Sequence, residues 1–191
     1  AHAEGYFTTA SGLYSHAEGR NTVANNSYAH AEGQSTLASG QRAHAEGATT
    51  LASADYSHAE GYGGSATGQM SHAEGWFTTA SGTSAHAEGR WTTAIGEYSH
   101  SEGYLTTAIG DNSHAEGSGT TASGSSSHAG GSGTRALGAT SFAGGSGSTA
   151  TTVSSFAYGV SALANASELV EAAIPITVTS ACTITLSDPN N

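Results

Sequence analysis

The chain has 191 residues, a net charge of −11, ten His, four Arg and no Lys. Leu, Ile, Val and Phe together number only 22, a share well under the roughly 20% below which a charged chain reads as disordered, so a conventional globular core is excluded. No run approaches the ~18 apolar residues of a membrane span, an acidic chain without Lys is a poor partner for nucleic acid, and the single Cys182 forms no internal disulfide.

From its first residues the chain is periodic. His stands at 2, 16, 30, 44, 58, 72, 86, 100, 114 and 128, always 14 apart. Gly keeps phase from Gly5 to Gly159 and Ala from Ala10 to Ala164, twelve times each; a second Ala column, Ala3 to Ala157, is broken only by Ser101. Disordered sequence keeps composition but not phase, so residues 1–168 read as twelve copies of one structural unit. Its consensus is [Ser/Ala]-His-Ala-Glu-Gly-x-x-Thr-x-Ala-Ser-Gly-x-x.

Fourteen residues are too few for a helix-pair repeat. A coiled coil of two heptads fails on its Gly content and on the lack of residues suited to a and d positions. Collagen needs Gly at every third place. A β-solenoid fits, with two short strands and two tight turns per coil. The first strand falls near His2-Ala3-Glu4 and the second near Thr8-Thr9-Ala10-Ser11. Gly5 and Gly12 are placed where positive φ or close backbone approach is needed. Alternation points Ala3 and Ala10 inward and His2, Glu4, Thr9 and Ser11 outward. An interior of Ala is thin, and at about 4.8 Å per coil twelve coils span roughly 58 Å.

Such a roll buries little apolar area by itself, so its outer faces call for cover by other chains. Outward positions are in fact apolar in several coils: Val23, Leu37, Leu51 and Leu163 in one column, Ile95, Ile109 and Leu137 in another. Phe142 and Phe156 replace His in the last coils. A position that takes both His and Phe reads as buried, and these features together call for packing against neighbouring chains.

Beyond residue 168 the register is lost. In residues 169–191 the stretches Ile174–Ser180 and Cys182–Leu186 alternate β-formers, and Asp188-Pro189-Asn190 is a turn signal. This segment reads as the start of a β-rich connector or tip domain. Beginning inside a repeat and without Met, the sequence reads as an excerpt of a longer fibre.

The run Thr93-Ala94-Ile95-Gly96-Glu97-Tyr98-Ser99-His100-Ser101-Glu102-Gly103 resembles the head repeats of YadA-like trimeric autotransporter adhesins, which read roughly Ala-Ile-Gly-x-x-Ser-x-Ala-x-Gly. The resemblance covers 1–168 and implies an all-β, left-handed parallel β-roll trimer. The Ser/Ala-His-Ala-Glu-Gly variant is also similar to repeats of phage tail fibres and tail spikes.

Three sets of residues carry candidate chemistry. The first is the pair of columns His2, His16, His30, His44, His58, His72, His86, His100 and His114 with Glu4, Glu18, Glu32, Glu46, Glu60, Glu74, Glu88, Glu102 and Glu116. His-Ala-Glu is half of a zinc-deaminase signature, but its Pro-Cys-x-x-Cys partner is missing, and nine copies describe a ladder rather than a catalytic centre. Stacked carboxylates repel unless compensated, and Glu disappears from the repeat one coil before His does. The pair therefore reads as an inter-chain hydrogen-bonded ladder, with solvated surface polarity and metal binding as the alternatives; no metal and no cofactor is assigned. The second set is the Thr column (Thr8, Thr22, Thr36, Thr50, Thr78, Thr92, Thr106, Thr120, Thr134), which as a flat array suits ice binding. The third is the aromatics at the coil edges, Tyr6, Phe7, Tyr62, Trp76, Phe77, Trp91 and Tyr104, which clasp neighbouring coils or contact a glycan or protein receptor.

The expected protein is thus not an enzyme. It is a structural and adhesive segment of a trimeric extracellular fibre, a phage or phage-like tail fibre on the virion holding a receptor-binding tip for host attachment. The alternatives are a bacterial surface adhesin head and, more distantly, an ice-binding solenoid.

Overall fold

The computed structural model describes residues 1–165. The strands expected at 174–180 and 182–186, and the boundary at 168, lie outside the described residues. Every coil contributes two strands, 24 in all, and no helix is present among the described residues. The fold is a parallel β-solenoid of twelve coils.

The strands form two twelve-stranded sheets, one running from His2–Tyr6 to Phe156–Val160 and the other from Thr9–Ala10 to Leu163–Ala164. Neighbours are parallel and in register, so like residues stack: His2 on His16, Ala3 on Ala17, Glu4 on Glu18, Gly5 on Gly19. Only a fixed 14-residue period lets every column do this for the length of the rod. Most long strands run from His through Gly to the next residue, further than the His-Ala-Glu core expected. The short strands hold just two residues. In coils four and five the long strand shrinks to His44–Ala45 and His58–Ala59, and pairing resumes beyond it only as isolated bridges through Ala48 and Tyr62.

The interior is Ala, as expected, from Ala17 and Ala24 to Ala143 and Ala150, all fully buried. It is not Ala alone. Thr22, Thr36, Thr78, Thr92, Thr106, Thr120 and Thr134 are as inaccessible as the Ala ladders, and Ser57, Ser71, Ser99 and Ser113 join them. Position 8 lies two residues before the inward Ala10 column, hence on the same face of the strand. The Thr column therefore cannot present a flat face to ice, and that reading is overturned. Several of the buried Ser side chains are held by the turns beneath them: the hydroxyls of Ser15, Ser71 and Ser99 donate to the carbonyls of Gly12, Gly68 and Gly96 at 2.7 Å.

The two Gly columns serve different needs. Gly117 has φ +100°, and a Cβ there would lie 2.1 Å from the Gly131 carbonyl oxygen. Gly96 needs no positive φ; its Cβ would lie 2.1 Å from the Gly110 oxygen. The first column is required by conformation and by contact, the second by contact alone. Each full coil also turns twice through the left-handed region, usually without Gly, as at Phe7 (φ 55°), Tyr14 (φ 58°), Trp91 (φ 55°) and Leu105 (φ 54°).

Candidate functional site: the His–Glu face and the aromatic edge

His and Glu alternate with the inward Ala on the long strand, so both point outward from the first sheet. The parallel register then builds two adjacent columns. His2 and Glu4 in the first coil are exposed, while His16 to His114 and Glu18 to Glu116 are half-buried by their own stack. In the middle of the rod the imidazoles lie face to face, with centroids 4.8 Å apart and planes parallel for His72–His86 and His86–His100. Phe142 and Phe156 continue the pile, 5.0 Å apart. The interchange of His and Phe is thus satisfied by ring stacking within one chain and does not by itself require a neighbour.

Each column stands beside the other. His16, His30 and His44 face the carboxylates of their own coils, Glu18, Glu32 and Glu46, at 3.6 to 3.7 Å. His72, His86, His100, His114 and His128 face Glu60, Glu74, Glu88, Glu102 and Glu116 of the preceding coil, at 3.3 to 4.0 Å. Close His–Glu contacts thus form within one chain, whereas the sequence placed the pairing between chains. Where the Glu column ends, Tyr158 covers the vacant strip: a Cβ on Gly144 would lie 2.6 Å from its ring and 2.8 Å from that of Phe142.

Burial within the stack penalises charge at His44 and His114. His44 is held below the ordinary pKa of 6.5 by desolvation, then by its neighbours His58 and His30, against the opposing pull of Glu46 and Glu32. His114 is lowered in the same way, by desolvation and then by His100 and His128. Glu60 is also lowered, first by hydrogen bonding with the neighbouring carboxyls of Glu46 and Glu74 and further by His72. Beside the columns runs an open groove of about 780 Å³, walled by Glu60, Glu74, Glu88, Glu102 and Glu116 and floored by Gly61 to Gly131.

The predicted aromatics lie along one edge of the rod and are all substantially exposed. Tyr6 and Phe7 meet edge to face in the first coil, 4.4 Å apart. Tyr62 stacks on Trp76 at 4.6 Å, and Phe77 packs edge-on against both. Trp76 is in register with Arg90, and Arg90 with Tyr104. The Arg90 guanidinium lies 4.2 Å from the centre of the Trp91 ring and 5.8 Å from that of Tyr104. Tyr62, Trp76, Phe77, Arg90, Trp91 and Tyr104 thus form one continuous patch over four coils. Sequence reasoning named the rings but missed the Arg. It also missed Arg42, which lies 5.2 Å from the rings of Tyr28 and Tyr56 and donates to the Tyr56 hydroxyl at 2.7 Å. The 14-residue spacing was the available signal, because Arg42 stands one period from each Tyr.

The family model for the YadA head domain repeat matches the chain twice, at residues 31–53 and 101–127. The chain carries YadA-like head repeats. Both matches lie within the solenoid, and the uninterrupted register extends the same unit to either side of them. YadA-type heads are trimeric, extracellular surface adhesins. No curated protein matches it in sequence.

Proposed function

We propose that this YadA-like repeat segment is a rigid, non-catalytic part of a homotrimeric extracellular fibre, spacing and presenting a receptor-binding element while contacting the receptor along its own aromatic edge. The observation that carries this reading is an apolar outer column on a coil whose interior is already closed. Ile95, Ile109 and Leu137 are each more than 40% exposed in the single chain. Their burial against two further chains supplies the apolar area that a thin Ala interior lacks. The left-handed sense of the coil belongs to the same family reading.

The finer assignment is a phage-type tail fibre, supported by the likeness of the Ser-His-Ala-Glu-Gly unit to tail-fibre repeats. The adhesin head is the second reading, favoured by the family match itself. In either carrier the Tyr62 to Tyr104 patch offers aromatic faces and one guanidinium, a combination suited to glycan or protein contact.

Mass photometry of the purified chain tests the assembly, with a trimer expected and a monomer at every concentration overturning it. Ile95→Asp combined with Ile109→Asp is expected to release monomers with an unchanged β signature. Host-cell binding by the wild type that is lost in Trp76→Ala with Trp91→Ala tests the patch; undiminished binding removes it from the contact.

A further inference from the structure

The aromatic edge is interrupted by a cation. Tyr62, Trp76, Arg90 and Tyr104 follow one another in register, one to a coil. Tyr62 covers one face of the Trp76 indole at 4.6 Å, and Phe77 meets its edge. In the next coil stands Arg90, but its guanidinium turns onto Trp91 at 4.2 Å and towards Tyr104 at 5.8 Å. Among the described residues no ring or cation is stacked on the second face of Trp76. A pocket of about 240 Å³ remains between Trp76 and Arg90.

The guanidinium is uncommitted at its edge. Stacking on Trp91 engages its flat face and leaves the in-plane N–H fork free. Glu88 is two residues away on the same strand, yet its carboxylate turns to the His column, 4.0 Å from His86 and from His100. Among the described residues Arg90 has neither an ion pair nor a side-chain hydrogen bond. The chain has fifteen acids and only four Arg, so a cation held among rings without a counter-charge stands out. The other three Arg differ. Arg42 donates to Tyr56 and Gln41, and Arg20 and Arg135 stack on no ring among the described residues, although Tyr6 is in register with Arg20.

A ligand for this pocket needs a flat apolar face for the indole and an anionic group for the fork. The C–H face of a pyranose supplies the first, and a carboxylate on the sugar supplies the second, taken bidentately. The pocket is smaller than the ~300–1,000 Å³ of a drug-sized site, which limits it to one sugar unit. An acidic peptide side chain offers the carboxylate without the flat face.

We propose that Trp76 and Arg90 form a subsite for one carboxylate-bearing sugar of an acidic glycan, Trp76 stacking on the ring and Arg90 pairing with the carboxylate. This subsite rests on the reading of the aromatic edge as a receptor contact and adds the chemistry of what is bound there.

Trp76 and Trp91 are the only two Trp of the chain, so intrinsic fluorescence of the full chain reports on the site directly. The probes are two unlike acidic glycans, tetragalacturonate and sialyllactose, with their neutral forms, the methyl-esterified tetramer and lactose, and with tetraglutamate as an acidic peptide. The expected result is a saturable change with an acidic glycan that is at least ~10-fold weaker with its neutral form, with tetraglutamate and in Arg90→Gln. Trp76→Leu, followed through the remaining Trp91, should weaken it as well, and Arg20→Gln should bind as the wild type does. The subsite is refuted if neither acidic glycan gives a saturable change, if the neutral forms or tetraglutamate bind as tightly, if Arg90→Gln binds undiminished, or if Arg20→Gln loses as much. Any of these results alongside host-cell binding that still disappears in Trp76→Ala with Trp91→Ala leaves the edge as the receptor contact and removes only the acidic sugar.

Discussion

The hydroxyls of Ser101 and Thr106 lie 2.8 Å apart in the closed interior of coil eight. Ser101 is the one break in its Ala column, and it stacks between Ala87 and Ala115. The extra hydroxyl is tolerated because the interior Thr of the same coil turns to meet it. In most other coils that Thr hydroxyl has no partner, as at Thr22, Thr36, Thr78, Thr92 and Thr120. Ser101→Ala is expected to cost about 1 kcal/mol, the ordinary net value of a hydrogen bond whose loss leaves a buried hydroxyl unpaired. Thr92→Val, which removes a hydroxyl without a partner and keeps the shape, should be neutral or stabilising. Denaturant melts of the two variants would show the opposite signs; a loss of stability in both contradicts this account.

Gly117 and Gly119 are two residues apart, both with positive φ, yet they should answer differently to Ala. At Gly117 the new Cβ meets the Gly131 carbonyl oxygen at 2.1 Å, whereas at Gly119 it meets nothing within 4 Å. Backbone cannot move aside in a stacked coil as a side chain could. Gly117→Ala is expected to cost more than ~3 kcal/mol, combining backbone strain with overpacking. Gly119→Ala should cost about 1 kcal/mol, since the same turn position accepts Trp91 and Leu105. Equal melting temperatures for the two variants would contradict the stacking origin of the Gly column.

Acid should loosen the rod. His44 and His114 have lowered pKa values in the folded chain. Between the lowered value and 6.5 the unfolded chain binds more protons than the folded one. Stability therefore falls as the pH drops through that window, and these two groups add no further loss below it. Glu60, also lowered, acts in the same direction over the carboxylate range, where its contribution disappears as it becomes protonated. Thermal melts from about pH 7.5 down to about pH 4 should show a progressive fall, and His44→Phe with His114→Phe should flatten its upper part. A melting temperature constant across the range would remove the stack as a source of pH dependence.

The edge patch should stiffen the rod as well as expose its rings. Trp76 is in contact with Tyr62 and Phe77, and aromatic pairs contribute about 0.5–1.5 kcal/mol each beyond area burial. Trp76→Ala is therefore expected to lower stability by roughly 1–3 kcal/mol. The equivalent change at Trp91 should cost less, about 1 kcal/mol, because its main partner is the exposed Arg90. Hydrogen exchange of the 62–77 backbone would locate the effect; protection unchanged in Trp76→Ala would make the rings pure contact surface.

The 14-residue period by itself determined the solenoid, its twelve coils, the inward Ala ladders and the side-by-side columns of His and Glu. Exact phase admits only in-register parallel stacking, and strand alternation then fixes which way the long strand's side chains face. The tertiary structure decided what lies across the turns. The left-handed residue at position 7, Phe7 or Trp91, resets the alternation. Position 3 and position 8 then both face inward although they are five positions apart, an odd step. The Thr column also shares its face with the inward Ala10 column, so its burial was legible from alternation and the surface-array reading overlooked it. It could not be read from spacing that His16, His30 and His44 would face the carboxylates of their own coils while His72 to His128 face those of the preceding coils, because residues at identical phase look alike in sequence and differ only in how each carboxylate turns against its stack.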